Sequence, residues 1–472
     1  MLFPTFDYFV FLPVVALVHL LLRSPSAGGA SKRRTGWLLA VSVAFYMSWN
    51  PLDTLLLAFV VGVAWAGGAF VHAAPDERRG PRLLLVACVL VAPLLYYKYT
   101  GFILDNIRVV WPAAPAPPDP HLPIGISFYT FQAMAYVIDV RRGQAPERDP
   151  VRFATFLLFF PHLVAGPILR AGSLLDQLAA GRGATRDDLG VGVSRLATGL
   201  VKKVLVADVL RVGMVDSVFT DPGAFTGVEV LIALYAYTLQ IYADFSGYSD
   251  FAIGSARMFG IVVPENFDRP YQALSVATYW RRWHMTLSDW VRDYVYWPMG
   301  GSKGGGWIPY RNTFVTLLIL GVWHGANWTF VVYGLLHGCA VSLNRWWRKR
   351  QGRGGEEPPL GAVGVAWRWL ATFHFVVLAR ILFRADDLEH AWAVTHALGD
   401  VTMVAPRFST HAWVVLVLGY AVHFTPTDWV PSLRARFAAL PAPAWGVALA
   451  AAGAACVYWG AGDTLSFIYY EF

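Results

Sequence analysis

Apolar runs long enough to form helices recur along the whole chain, and the short loops between them carry most of its charge. That alternation restricts the fold more than any single motif. Hydrocarbon offers no partner to an open N–H or C=O, so a segment buried there must satisfy its own backbone, and a helix needs about 20 apolar residues to cross a core of about 30 Å. Taken as helices, the runs fall near Tyr8–Leu22, Gly36–Ser48, Leu52–His72, Leu83–Tyr97, Ile124–Val140, Phe153–Ile168, Val228–Tyr242, Phe314–Arg345, Val363–Phe383, Trp413–Phe424 and Trp445–Trp459. Several are short for a perpendicular crossing and are expected to be tilted, re-entrant or buried in the bundle. Of the 472 residues 56% are hydrophobic and 15% charged, against about a quarter charged in soluble domains, and no long polar stretch could surface one. The expected fold is therefore an all-α polytopic membrane protein. One domain spans 1–472, with N-terminal spans in 1–150, a polar-rich core in 151–345 and C-terminal spans in 346–472.

Loop charge gives the orientation. Arg23, Lys32, Arg33 and Arg34 follow the first run, Arg78, Arg79 and Arg82 the third, and Arg141, Arg142, Arg148 and Arg152 the fifth. The alternate loops hold only Lys98 and Arg108. Excess Lys and Arg mark cytoplasmic loops, which places the N-terminus outside and the bilayer itself as the first partner. The block Arg345–Arg353 reads as another cytoplasmic loop, and Ala113–Pro120 as an extended, Pro-rich outer one. The basic residues form no stripe interleaved with aromatics, so a nucleic-acid partner is not expected. The first run follows Asp7 instead of a basic segment and reads as a retained span, with only a weak cleavage-like echo at Ser24–Ala27. Cys88, Cys339 and Cys456 lie singly in apolar runs, pointing to neither a disulfide framework nor a zinc site.

Candidate chemistry concentrates in the core. On a helix drawn over Thr278–Tyr294, Trp280, Trp283, His284, Leu287, Trp290, Val291 and Tyr294 share one face, while Arg281, Arg282, Ser288, Asp289, Arg292 and Asp293 share the other. This is a Trp-rich amphipathic helix suited to the interface. His284 on its apolar face is either a hydrogen-bonded core imidazole or a catalytic one at the mouth of a pocket. Within Asn312–Trp347, Gly321-Val-Trp-His-Gly-Ala-Asn-Trp328 interrupts an apolar run. A histidine at membrane depth is expensive unless paired or facing a cavity, which marks His324 as functional. The Gly321/Gly325 and Gly334/Gly338 pairs also fit close helix packing, in which His324 and Asn327 would be interhelical hydrogen-bond partners. Asp244–Asp250 (DFSGYSD) directly follows a run, and its two carboxylates and two hydroxyls around a Gly either bind a ligand or cap a helix starting near Phe251, with capping by Ser249 or Asp250 expected ahead of a direct catalytic role. The sequence carries no Gly-x-Ser-x-Gly elbow, zinc-binding His-Glu-x-x-His or dinucleotide fingerprint. Histidine chemistry without a metal remains.

Around these histidines the sequence resembles the membrane-bound O-acyltransferase (MBOAT) family, in its bacterial branch of polysaccharide and alginate O-acetylation membrane subunits. The blocks are LPIGISFYTFQ (Leu122–Gln132), FFPHLVAGPILR (Phe159–Arg170), IYADFSGYSDFAIG (Ile241–Gly254), ENFDRPY (Glu265–Tyr271), YWRRWHMTLSDWVRDYVYWPMGG (Tyr279–Gly301), GVWHGANWTFVVYGLLHG (Gly321–Gly338), LFRA (Leu382–Ala385) and FIYYEF (Phe467–Phe472). His162 departs from the pattern, which has Gln there. The resemblance implies an MBOAT-type bundle of roughly eleven spanning, re-entrant and interfacial helices. It also implies that His324 is catalytic, with His284 a second signature residue near the acyl-donor path. Asp244, Ser246, Tyr248, Asp250, Asn266, Arg281, Arg282 and Asn327 become candidates for shaping the site.

The reaction expected is acetyl transfer from a cytoplasmic thioester, acetyl-CoA being a substrate and not a bound cofactor. Its destination is a hydroxyl of an exported polysaccharide or of an extracytoplasmic partner acetyltransferase, which such systems usually include. Burial disfavours imidazolium, so His324 is expected to be neutral and able to act as base. Asn327, the indoles of Trp323 or Trp328, or His284 would meet the oxyanion. The expected location is the bacterial inner membrane. Two rivals stay open: D-alanyl transfer from a carrier protein to teichoic acid, and transport of a polar solute with His324 and Asp244 as midplane ligands.

Overall fold

The computed structural model describes residues 3, 5–22, 27–118, 120–303, 305–351, 361–402 and 404–461. Arg23, Arg353 and the Phe467–Phe472 block lie outside the described residues. The described chain is helical, and its contacts divide it into two compact units. The first comprises Met1–Leu196, Tyr248–Pro264 and Ala435–Gly446; the second comprises Ala197–Gly247, Glu265–Arg434 and Val447–Phe472. Among the described residues five helices have the length and hydropathy to cross a membrane: Pro51–His72, Asp76–Val110, Gly227–Met258, Ala362–Arg384 and Ala442–Trp459. Phe6–Leu21 and Thr410–His423 are shorter apolar helices.

In the first unit, Phe6–Leu21 shows the logic of a lipid-facing helix. Phe6, Val10, Val14, Leu17 and Leu21 form an exposed apolar stripe, while Tyr8, Leu12, Val15, Ala16 and His19 point inward. Tyr8 Oη and Ser255 Oγ share a 2.5 Å hydrogen bond. Ile126–Arg141 packs against Pro51–His72 and Asp76–Leu94. Gly68 permits this approach, since a Cβ there would sit 2.6 Å from the Tyr136 ring. The expected span Phe153–Ile168 is instead broken into Pro150–Leu158 and Phe160–Leu163, with Phe159 between them at φ −52°, ψ 103°. Pro161 fits the first turn of the second piece, where no N–H is needed. His162 uses both ring nitrogens there: Gln132 Nε2 lies 3.1 Å from Nδ1, and Nε2 lies 3.2 Å from the Phe156 carbonyl. Gln132 donates to Nδ1 and Nε2–H donates to the carbonyl, so the residue departing from the family pattern is wired into the core.

Three further expectations are corrected. The Asp244–Asp250 motif does not precede a helix, because Gly227–Met258 runs through it as one helix of 32 residues. Ser249 and Asp250 therefore cap nothing; propensity for caps yields to a continuous buried helix. Thr278–Tyr294 is not one helix but Val276–Arg282 and Met285–Val291, followed by a π-helical turn at Arg292–Tyr296. The predicted faces survive, with Trp280, Trp283, His284, Leu287, Trp290, Val291 and Tyr294 buried and Arg281 and Arg292 exposed. Phe314–Arg345 becomes a helical hairpin, Ile308–His324 and Trp328–Arg350. Glycine faces glycine across it: a Cβ on Gly321 would clash with the Phe330 carbonyl and lie 2.9 Å from Gly334 Cα, and one on Gly334 would lie 2.7 Å from the Leu317 carbonyl. The small-xxx-small reading thus holds at this pair.

Candidate active site

Both candidate histidines sit at breaks between helices of the second unit. His324 is the last residue of Ile308–His324, and Asn327 caps the helix that follows, its Oδ1 accepting from Thr329 N at 2.9 Å. Asn327 Nδ2 donates to the Asp386 carbonyl at 2.6 Å, which ties the break to the end of Ala362–Arg384. Asn327 is thus engaged at both ends of its amide. It holds the corner of the hairpin with one N–H of its amide, and the second N–H of Nδ2 is not used by that contact.

His284 precedes Met285–Val291 with φ 43° and ψ 56°, a left-handed conformation. Among the described non-glycine residues only Arg269 shares a positive φ. Such geometry costs of order 1–3 kcal/mol and persists where surrounding contacts over-determine it. Here the clamp is Asn266, fully buried, whose Oδ1 lies 3.0 Å from His284 Nδ1 and accepts from Thr286 Oγ1 at 2.9 Å and Thr286 N at 3.3 Å. The backbone joins in, since Asn266 O accepts from Met285 N at 2.9 Å and Arg282 O accepts from Asp268 N at 3.0 Å. An oxygen that accepts from a backbone N–H cannot be the amide nitrogen, so His284 Nδ1 carries the proton and Nε2 the lone pair. His284 lies outside the spanning helices, and burial pushes its imidazole down to about 3, which keeps it neutral at pH 7.

Aromatic rings join the two histidines. The Trp323 ring centroid lies 5.9 Å from that of His284 and 4.9 Å from that of His324. Phe245 meets His284 edge-on at 4.7 Å, and Phe383 meets His324 at 5.0 Å. His324 is 2% exposed and His284 is fully buried. The DFSGYSD motif reaches His284 through its phenylalanine.

The other predicted residues divide. Asp244 pairs with Lys203 at 3.0 Å, and Lys203 also meets Asp208 at 2.8 Å, all three buried. Lys203 and Asp208 lie on a π-helical turn, Val201–Asp208. Ser246 is buried in the same unit. Tyr248 and Asp250 belong to the first unit, where Tyr248 packs on Phe3 at 4.7 Å and Asp250 pairs with Arg195 at 2.5 Å. Arg281 is exposed and donates to Thr278 Oγ1 at 3.0 Å, while Arg282 contributes its carbonyl to the Asn266 corner. Sequence reasoning passed over Phe245, Phe383, Lys203 and Arg380. An arginine inside an apolar run is a visible signal, but nothing in its spacing connects it to His324.

A family model described as MBOAT, membrane-bound O-acyltransferase family, matches residues 87–381, which include both histidines. The chain is 39% identical over 398 residues to the probable alginate O-acetylase AlgI of Pseudomonas aeruginosa, covering 83% of this chain and 73% of that protein. It is 32% identical over 414 residues to a peptidoglycan O-acetyltransferase of Helicobacter pylori, covering 82% and 77%. With a teichoic acid D-alanyltransferase of Bacillus subtilis it shares 29% identity over 329 residues, covering 62% and 79%.

Proposed function

The chain belongs to the membrane-bound O-acyltransferase family, and from that premise we propose that it moves an acetyl group from cytoplasmic acetyl-CoA toward hydroxyls outside the cell. The acceptor is an exported polysaccharide, or the hydroxyl of an extracytoplasmic partner transferase that completes delivery. Membership makes the chain an O-acyltransferase, which sets aside the transporter reading. Acetyl is favoured over D-alanyl because the two O-acetylating relatives share higher identity over more of the chain than the D-alanyl relative does. The loop charges favour a bacterial inner membrane orientation with the N-terminus outside.

The observation that carries the reading is the pair of buried histidines at helix breaks, joined by Trp323, with one ring fixed by Asn266. In the proposed step the acceptor oxygen attacks the thioester carbon while a nitrogen of His324 takes its proton. The carbonyl electrons move to oxygen. Their return expels the thiolate, which recovers the proton from the imidazolium, so ester and thiol are the products. His284 carries its lone pair on Nε2 and cannot donate from that atom while neutral; Asn327 Nδ2 gives one hydrogen to the Asp386 carbonyl and keeps a second. The Trp323 indole N–H, on the ring that lies between the two histidines, is the preferred donor to the oxyanion among the groups weighed. Asn266 positions His284, and Asp244, Ser246, Arg281 and Arg282 support the fold of the second unit, while Tyr248 and Asp250 support that of the first.

The test uses purified full-length protein with labelled acetyl-CoA. Wild type should release or transfer acetyl, and His324→Ala at equal membrane abundance should lose it by about 10²-fold or more. Retained transfer by His324→Ala removes the histidine from the reaction, and transfer from a D-alanyl carrier but not from acetyl-CoA replaces the acyl group.

A further inference from the structure

Arg380 lies inside the apolar helix Ala362–Arg384 and is 1% exposed. Its Nη2 donates to Tyr279 Oη at 2.7 Å, and its guanidinium carbon sits 4.5 Å above the Trp283 ring and 5.3 Å above the Phe383 ring. Nε and Nη1 meet no hydrogen-bond acceptor, and no carboxylate pairs with the residue, among the described residues. A buried cation left in this condition is costly, because aromatic faces recover only part of its lost hydration. A second orphan lies beside it. Trp280 Nε1 donates to His337 Nδ1 at 3.2 Å, so Nε2 of His337 carries a hydrogen in either protonation state, and this atom too is buried without an acceptor. The His337 ring stacks on Tyr279 at 6.4 Å, the same ring whose hydroxyl Arg380 holds. The unsatisfied atoms of Arg380 and His337 are donors only, and Arg380 is charged. A site built this way is complementary to an oxyanion.

We propose that Arg380, with His337, forms an anion subsite that seats the carboxylate of an acidic sugar in the acceptor. The substrate class rests on the acyl-transfer reading above. Phe383 links the subsite to the reaction centre, since it touches both the Arg380 guanidinium and the His324 ring. Depth separates acceptor from donor. With Arg345–Arg353 cytoplasmic, Ala362 begins its helix at that face, and Arg380 lies ~27 Å further along at about 1.5 Å per residue. The phosphates of a cytoplasmic thioester donor belong at the opposite end. Arg380 is a specificity residue in this scheme: it holds the sugar ring that bears the hydroxyl and leaves proton transfer to His324.

The experiment measures calorimetric binding and acetyl transfer by full-length protein in detergent. The probes are a uronic acid oligosaccharide, the same oligosaccharide with its carboxyls reduced to alcohols, and coenzyme A. Wild type should bind the acidic oligosaccharide about 10- to 100-fold more tightly than the reduced one. Arg380→Gln should erase that preference, raise KM for the acidic acceptor by the same factor and change kcat and coenzyme A binding by less than about threefold. Arg380→Lys, which keeps the charge and loses the fork, should retain part of the preference. The proposal is overturned if wild type binds both oligosaccharides equally, or if Arg380→Gln weakens both alike or neither. Weakened coenzyme A binding in its place would assign the subsite to the donor's phosphates and likewise overturn it. Should Arg380→Gln fail to fold, the wild-type comparison and Arg380→Lys still decide. Charge-dependent binding by a wild type that neither releases nor transfers acetyl from acetyl-CoA sinks the proposed function and keeps the subsite; acetyl release or transfer with binding indifferent to acceptor charge does the reverse.

Discussion

Replacing Asn266 by alanine removes one oxygen and strands three donors: His284 Nδ1–H, Thr286 N–H and the Thr286 hydroxyl. Thr286 is partly accessible, so its hydroxyl can find water and its amide recovers some of the loss. His284 is sealed, and it must either bury a bare N–H or move its proton to Nε2. A stranded buried donor costs about 1–3 kcal/mol, and the amide adds about 1 kcal/mol, so Asn266→Ala should destabilise by roughly 2–4 kcal/mol. At about 2 °C per kcal/mol for a unit of this size, the midpoint of thermal unfolding in detergent falls by about 4–8 °C. Activity should fall further than stability demands, by about 10- to 100-fold, because the tautomer is no longer imposed on the ring. Asn266→Asp separates the two effects. It keeps an oxygen at the same place, so it should hold Nδ1–H and recover most of the midpoint and more activity than the alanine variant. If the Asp and Ala variants are equally impaired, or if Asn266→Ala leaves transfer untouched at full abundance, the oxygen is not what fixes His284 and the clamp argument fails.

Three other outcomes follow from buried charge and close packing. Lys203→Met removes the cation that pairs with both Asp208 and Asp244 and should cost about 3–5 kcal/mol, whereas Asp244→Asn keeps the Lys203–Asp208 pair and should cost much less; equal losses in thermal unfolding would show that the pairing is not the source. Gly334→Ala pushes a Cβ to 2.7 Å from the Leu317 carbonyl and should cost about 1–3 kcal/mol, while Gly62→Ala, with open space around it, should be neutral or stabilising on the same assay. Burial alone would raise the Asp188 carboxyl, but the Thr185 amide and hydroxyl with Arg182 and Arg257 outweigh it and hold it down at about 2, against an ordinary 3.8. Its contribution is therefore present above pH 3.8 and lost as pH falls through 2, so the stability gap between wild type and Asp188→Asn should close over that window; a gap that stays constant would remove the carboxylate as its cause.

The membrane class and most helix positions were legible because hydrocarbon enforces continuous apolar helices. The breaks were not. Periodicity sees Thr278–Tyr294 as one helix because both pieces present the same face, and only the Asn266 contacts, made by residues 18 and 20 positions away, reveal the corner at His284. Polarity at Asp244–Asp250 suggested a terminus, yet Lys203 and Arg195 supply counter-charges that let a helix pass straight through. Long-range partners are invisible to local pattern. For the same reason His324 could be singled out, while Arg380, whose meaning comes from the Trp283 ring and the Tyr279 hydroxyl about a hundred positions away, could not.

The left-handed backbone at residue 284 also governs how loss-of-function data there should be interpreted. An alanine at this position would remove an imidazole and also force a Cβ-bearing residue with no local hydrogen-bonding side chain into a conformation it disfavours by roughly 1–2 kcal/mol. The measured defect would then mix chemistry with misfolding. Asparagine tolerates the same φ and ψ far better, so His284→Asn is the silent-backbone control, and the difference between the two variants gives the conformational share of the defect directly.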